Sequence, residues 1–451
     1  MNVRVRMAPS PTGNLHIGTA RTALFNWLYA KHHGGTLVLR IEDTDTDRST
    51  PEFEKDIIDQ LKWLGITWDE GPIRQSERLP LYEKYLKQLL ISGHAYWCDC
   101  TKDDLEAKRK SMMEAGIAPR YDGHCRDKKV QESANAVIRF AMPERALSFT
   151  DLVRGKIEFN AALIGDIVLA KGLQSPLYNF AVVVDDHEMA ITHVIRGEDG
   201  IPNTPKQLAL QKALDFKHPH YAHIPLILDA DRAKMSKRNS ATALKEYADA
   251  GYLPEAIVNF LARLGWHPVD NREVFTIHEL ATVFDIERAQ KAGAVFSLQK
   301  LNWMNTHYIQ KMTNEEIAQK IGWEQSEKNL KTVALLKSRA QTLNDFATHG
   351  AIFFALPEYD ASLLAWKEMS PKEIQASLKR CEDAIGEGRG ADIPKIAEHY
   401  GKGETFWPLR VALSGQKESP SPIELLNVLG REESLKRIQH ALGKIITHDK
   451  E

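Results

Sequence analysis

Apolar and basic side chains alternate from Val3 to Met7, the two-residue period of a strand. "PSPTG", from Pro9, reads as a turn-rich loop. From Gly18 the period changes. Ala20, Ala23, Leu24, Trp27 and Leu28 recur at steps of three and four, which predicts a helix that stops at Gly34-Gly35. "TLVLRI", from Thr36, predicts a buried strand ending on the acidic "EDTDTD". Strand, loop, helix and strand in this order open a parallel α/β sheet. Between about 97 and 175 the rhythm is lost, apart from a polar helical stretch from Lys102 to Glu114. "NFAVVVDDHEMAITHVIRGED", from Asn179, returns to strand patterning, and "HIPLILD", from His223, is a further strand candidate. After about 240 the pattern is helical almost to the end: "TNEEIAQKI", "LKSRAQTLNDF" and "SLKRIQHALGKII" all repeat apolar residues at helical spacing. "SGQKESPSP", at 414–422, is the best loop candidate in that half.

These patterns predict an α/β fold in which 1–96 and 176–238 are two halves of one nucleotide-binding unit. They are split by an inserted module, 97–175, and followed by a helical half. Composition narrows the class. No stretch of the 451 residues approaches the ~20 consecutive apolar residues of a membrane span. The opening "MNVRVRMAPSPTG" has no apolar core of a signal peptide. Cysteines number only 4, at Cys98, Cys100, Cys125 and Cys381, so a disulfide framework is not expected and a reducing cytoplasm is. Cys381 falls in a helical pattern and reads as inert. The formal net charge is −2, so a polyanion could be met only by local basic patches.

One such patch lies in "LILDADRAKMSKRNSAT", where Arg232, Lys234, Lys237 and Arg238 crowd a short loop after an apolar run. Following a strand, Lys234 and Lys237 should stand at the carboxyl edge of the sheet, where open α/β folds bind ligands. Flexible ammonium groups there can follow a phosphate whose charge grows as its bond breaks. Ser236 can donate a hydrogen bond, and Met235 can pack on a base or on the strand. A second phosphate-binding candidate is "HIG", where His16 and Gly18 stand at a helix start with free N–H groups and a partial positive charge. Each element alone would usually be a solvated loop or turn. Cys98, Cys100 and Cys125 supply three thiolates, enough to begin a zinc site, with reduced structural thiols as the alternative.

Together, His-Ile-Gly near the start and "KMSKR" after a late strand resemble the class I aminoacyl-tRNA synthetases. "RMAPSPTGNLHIGTARTALFNW", "LRIEDTD", "LKWLGITWDEGP", "RQSERLPLY", "VVVDDHEMAITHVIRGED" and "NTPKQ" narrow the resemblance to the bacterial-type glutamyl-tRNA synthetases, as do the later "LARLGW", "LQKLNWMN", "PLRVALSG" and "LLNVLGRE". The likeness spans nearly the whole chain and is weakest over 310–400.

The resemblance implies a class I Rossmann-like sheet split by an acceptor-binding insertion. It also implies a stem-contact domain at 239–309 and a helical anticodon-binding domain at 310–451. Glutamate would be activated with ATP, accompanied by Mg²⁺, and transferred to tRNA(Glu), or also or instead to tRNA(Gln). His16, Gly18, Lys234, Met235, Ser236 and Lys237 would hold ATP, with His16, Lys234 and Lys237 acting in catalysis. Arg6 would pair with the side-chain carboxylate of glutamate, a task suited to a planar fork, and Glu42 would take its ammonium. Ala8, Ser10, Tyr178 and Arg196 would border the same pocket. Val182 stands where some relatives carry a substrate-touching asparagine. Many relatives complete the zinc site as Cys-x-Cys…Cys-x-His; here that last position is Asp127, and Tyr121 is the alternative fourth ligand, with His124 next to Cys125. Asp45 and Asp47 read as capping or salt-bridged residues, "AKRK", "LKSR" and "SLKR" as candidate RNA-backbone contacts, and Trp303 and Trp407 as core. A monomer is expected. The helical tail argues against a glutaminyl-type enzyme with its β-barrel, and the length against a truncated paralogue or a small nucleotidylyltransferase. A non-catalytic RNA-binding protein remains the rival of another class.

Overall fold

The computed structural model describes residues 2–143, 146–235 and 243–448. The chain forms two compact units, Met1–Asp249 with Pro254–Leu301, and Ala250–Leu253 with Asn302–Glu451. In chain order the first unit opens with β1 (Arg4–Met7), α1 (Ile17–His32), β2 (Thr36–Ile41), α2 (Pro51–Trp63), β3 (Glu70–Arg74) and α3 (Leu79–Ile91). β1, β2 and β3 are parallel neighbours, as the opening pattern requires. α2 shows why such a helix starts where it does. Thr50 caps it through Phe53 N–H, Pro51 occupies its first turn, and Glu52 and Glu54 face the positive end of the dipole.

The next segment holds β4 (Ala95–Cys98), α4 (Lys102–Glu114), β5 (Val137–Phe140), β6 (Ala146–Asp151), β7 (Gly155–Asn160) and β8 (Ile167–Ala170). α4 has the bounds its polarity predicts. It buries no residue and is closed by a Thr101–Asp104 capping box. β4, β5 and β8 make a small antiparallel sheet. The β6–β7 hairpin does something else: β6 pairs in parallel with β10 (His220–Ile224), Tyr221 facing Asp151. β10 in turn pairs with β9 (His193–Gly197), and Thr192 N–H donates to Arg4 O at 2.9 Å, placing β9 beside β1.

Two sequence expectations fail here. "NFAVVVDDHE" is not a strand but α5 (Tyr178–Glu188), despite its three valines. Phe180 through Asp186 are all buried, so the helix is apolar on most of its circumference and shows no amphipathic period. Only "HVIRG", at β9, is strand. "HIPLILD" is two strands, β10 and β11 (Ile227–Leu228), in different sheets. Pro225 lies between them and has no N–H to continue a ladder. α6 (Thr204–Ala213) lies between β9 and β10. α7 (Leu244–Asp249), α8 (Pro254–Arg263), α9 (Ile277–Val283) and β12 (Ala294–Val295), which pairs with β11, follow.

The remaining elements are helical: α10 (Leu298–Lys311), α11 (Asn314–Lys320), α12 (Glu327–Leu336), α13 (Asn344–Phe354), α14 (Pro371–Gly386), α15 (Ile393–Tyr400), α16 (Lys402–Ser414) and α17 (Pro422–His448). The chain breaks at 415–421, inside the predicted loop. "LKSRAQTLNDF" is not one helix, because it straddles the α12–α13 connection. There Asp345 accepts the N–H groups of Gln341 and Thr342 and turns the chain. Trp303 is 46% exposed, contrary to a core role, while Trp407 donates to Leu363 O at 2.9 Å and packs on Trp366. Cys381 is fully buried, and burial pushes its thiol up to about 12, in keeping with an inert thiol. Among the described residues no helix is long and apolar enough to cross a membrane.

Candidate active site

The parallel strands β1, β2, β9 and β10 all end on one cleft of about 420 Å³ in the first unit. Arg6 comes from the end of β1, Glu42 from just beyond β2, Arg196 from the end of β9, and Pro225 from just beyond β10. This is the carboxyl edge of the sheet, where the strand-to-helix loops leave room for a ligand.

One end of the cleft is built for phosphate. His16 is the N-cap of α1, and its Nδ1 accepts Gly18 N–H at 3.0 Å. That bond leaves the proton on Nε2, so the ring can donate. A Cβ on Gly18 would sit 3.3 Å from His16 Nδ1, so glycine keeps the cap in place. Lys234 lines the same cleft and is 3.6 Å from Asp199. His16 bridges Ala243, and Met235 N–H donates to Ile227 O at 3.1 Å, fixing the start of the basic loop against β11. Met235 is buried on the strand side. Ser236 and Lys237 lie outside the described residues. Arg21, which sequence reading passed over, is buried at this end. It donates to Leu264 O at 3.0 Å and to Pro225 O, and burial lowers its pKa to about 10 against the pull of Glu198.

The other end is an ion network. Arg40 is fully buried and reaches Asp186 at 2.7 Å, Glu42 at 3.0 Å and Asp185 at 3.8 Å. Arg6 meets Asp186 at 3.2 Å. Burial works against the charge of Asp186, but Arg6 and Arg40 outweigh it and hold its pKa below the usual range. Glu42 goes the other way: burial raises it, against the opposing pull of Arg40 and Arg6. Its oxygens therefore favour a nearby cation. Arg40, Asp185 and Asp186 were missed because they were read as parts of strands. A charged residue inside the apolar run "LVLRI" was the available signal.

Ala8 lines this cleft, and Glu42 and Tyr178 also line a neighbouring one of about 580 Å³, which holds Ser10, Asp45 and Lys171. Asp45 is salt-bridged to Arg48 at 2.5 Å, as read. Val182 is buried within α5.

The three cysteines converge. Cys98, Cys100 and Cys125 hold their sulfurs within 4.8 Å of one another. Tyr121 Oη lies 3.3 Å from Cys98 Sγ and 3.5 Å from Cys100 Sγ, and Arg139 lies over the Tyr121 ring. Asp127 and His124 are exposed and do not join the group. Of the alternatives for a fourth ligand, only the tyrosine oxygen stands against the thiols.

Residues 2–303 match the family model described as "tRNA synthetases class I (E and Q), catalytic domain", and residues 294–442 match "Anticodon binding domain". A glutamate–tRNA ligase of Desulforamulus reducens is 42% identical over 98% of this chain and 100% of its own length. One of Thermodesulfovibrio yellowstonii is 43% identical over 98% and 99%. Among solved structures, a glutamate tRNA ligase of Elizabethkingia meningosepticum, crystallised in complex with its amino acid, superposes with a TM-score of 0.88 at 35% identity, covering 99% of this chain and 100% of that one. With a cation-lined cleft at the carboxyl edge of a split parallel sheet and matches along nearly its whole length, the chain belongs to the class I tRNA synthetases for glutamate and glutamine (E and Q).

Proposed function

We propose that the protein is a glutamate–tRNA ligase. The α-carboxylate of glutamate attacks the α-phosphorus of ATP, pyrophosphate leaves, and a hydroxyl of the terminal tRNA adenosine then attacks the mixed anhydride and releases AMP. No covalent enzyme intermediate is needed, so the protein aligns reactants and stabilises charge. ATP enters as its Mg²⁺ complex. His16 and the start of α1 hold the triphosphate, and Lys234 and Lys237 follow the departing pyrophosphate. Arg6 and Arg196 take the side-chain carboxylate, and Glu42 takes the ammonium. An amide in place of that carboxylate would bring no negative charge to the two buried guanidinium groups, which discriminates against glutamine.

The observation that carries this reading is the gathering of Arg6, Arg196, His16 and Lys234 with Glu42 around one cleft. The adjoining cleft, reached past Glu42 and Tyr178, suits the acceptor end of the RNA. The glutamate tRNA is the acceptor. The glutamine tRNA is the alternative, because the amino-acid pocket does not read the anticodon. Purified tRNA(Glu) and tRNA(Gln) transcripts charged side by side with labelled glutamate and ATP decide it. Label on the first alone defines a discriminating enzyme, and label on both, or on the second alone, a non-discriminating or glutamine-tRNA enzyme. Label on neither refutes the proposal. The protein acts as a monomer in the cytoplasm.

Cys98, Cys100, Cys125 and Tyr121 fit a zinc ion, since three thiolates and one phenolate oxygen make a four-ligand set. Such an ion would cross-link β4 to the loop that follows α4. Purified protein should carry about one zinc per chain. Cys125→Ala should lose it, and Asp127→Ala should retain it. Metal analysis showing zinc loss in the Asp127 variant alone would reverse the assignment.

A further inference from the structure

Arg196 is held by a chain of buried groups with no part in the chemistry above. Its Nε–H donates to His223 Nε2 at 3.1 Å, and its Nη2–H to Thr204 Oγ1 at 2.8 Å and Gly200 O at 3.2 Å. Nη1 is buried with no hydrogen-bond partner among the described residues, on a side chain that lines the cleft. His223 is fully buried, and its Nδ1 meets Asp151 Oδ2 at 2.6 Å. Asp151 also accepts the backbone N–H groups of Val153, Arg154 and His223, at 2.9, 2.9 and 3.1 Å. An aspartate so fixed as an acceptor keeps the histidine proton on Nδ1, leaving Nε2 as a bare lone pair. That lone pair is what the Arg196 Nε–H needs. The space is tight as well: a Cβ on Gly200 would lie 2.4 Å from Arg196 Nε.

We propose that Asp151 and His223 are positioning residues for Arg196, fixing its guanidinium so that Nη1 alone is left to bind the carboxylate of the amino-acid substrate. The proposal rests on Arg196 binding glutamate as described above. It also gives the β6–β7 hairpin a role: a strand end from the inserted segment sets the geometry of the amino-acid site through β10. The charged groups facing His223 are Asp151 on β6, Arg154 in the hairpin turn, whose Nε–H donates to His223 O at 3.3 Å, and Arg196 on β9. Phe149 and Tyr221 enclose the ring, and Thr204 of α6 lies 3.3 Å from Nε2.

Protonating His223 would turn its Nε2 into a donor facing another donor, so Arg196 would be displaced at low pH. Burial, with Arg196 and Arg154, lowers the His223 pKa against the opposing pull of Asp151, so the effect falls on the acid side of an ordinary histidine.

The test is steady-state aminoacylation by the full-length enzyme, with glutamate and ATP varied separately. His223→Asn keeps a donor for Asp151 but removes the acceptor for Arg196. It should raise the glutamate KM about tenfold or more and leave the ATP KM within about twofold. His223→Gln, whose carbonyl can replace Nε2, should recover part of that loss. In the unmodified enzyme the glutamate KM should climb as pH falls below about 6.5, with the ATP KM flat, and in His223→Gln that climb should disappear. The pH profile needs no variant that folds poorly. Arg196→Ala separates the two readings. If it leaves the glutamate KM unchanged, the role of Arg196 fails and the relay falls with it. If it raises the glutamate KM while His223→Asn does not, or if the KM climb persists in His223→Gln, the relay alone is wrong.

Discussion

Replacing Arg40 with methionine should lower the stability of the first unit by about 3–5 kcal/mol. Arg40 is completely buried and faces Asp185, Asp186 and Glu42 at once. Methionine matches much of its length but none of its charge, so three buried carboxylates would be left with too few cations. Arg6 would remain on Asp186, and Arg78 on Asp185 at 2.7 Å. Glu42 would lose its direct partner. The pH dependence should change as well. Asp186 has a depressed folded pKa, so its contribution to stability is present above the pKa of an unfolded aspartate, near 4. It is lost as pH falls through the depressed value. Removing Arg40 lets burial win, raising that pKa and moving the acid-side loss to higher pH. Glu42 has the opposite sign: its pKa is raised, so keeping it ionised at neutral pH already opposes folding. A substrate ammonium would relieve that cost. Urea unfolding followed from pH 4 to 8 checks both parts. A midpoint shift worth less than about 1 kcal/mol would mean that the network is better solvated than its burial indicates.

Lys234→Ala should lower the rate of glutamate activation by about 10²–10³-fold, read as ATP–pyrophosphate exchange with tRNA present. The Lys234 side chain is 65% exposed and its ion pair with Asp199 is 3.6 Å long, so little stability depends on it. Its worth comes from charge that develops on the departing pyrophosphate, an interaction stronger in the transition state than in the ground state. Thermal stability and tRNA affinity should therefore stay within error of the parent, and the loss should fall on kcat more than on the ATP KM. If the ATP KM rises with kcat unchanged, the lysine only binds the nucleotide. If neither changes, the loop performs no chemistry at this position.

Local pattern made much of the fold legible. The alternation at Val3–Met7, the helical period from Gly18 and the apolar run from Thr36 each gave the right element: β1 and β2 are short buried runs, and α1, though buried on all sides from Ala23 to Ala30, is rich in alanine and leucine, which favour a helix. α4 was legible to the residue because a polar helix carries its own capping box. α5 was not: it is buried on most sides like α1, but its three consecutive valines dominate the local preference. The break at Pro225 depended on which sheet each half of "HIPLILD" joins.

The site divides along the same line. While the place of Arg6 beside an acidic substrate came from the resemblance alone, the sequence by itself offered two remote segments, around His16 and Lys234, with residue types suited to phosphate, and three thiols in ligating numbers. These are properties of residue type and local spacing. Only the tertiary structure decided that Tyr121 rather than Asp127 meets those thiols. It also decided that Arg40 joins three acids, and that Asp151, His223 and Arg196 form one hydrogen-bonded line across β6, β10 and β9. Those partners lie far apart along the chain, and their interaction depends on strand order and burial, which no local window contains.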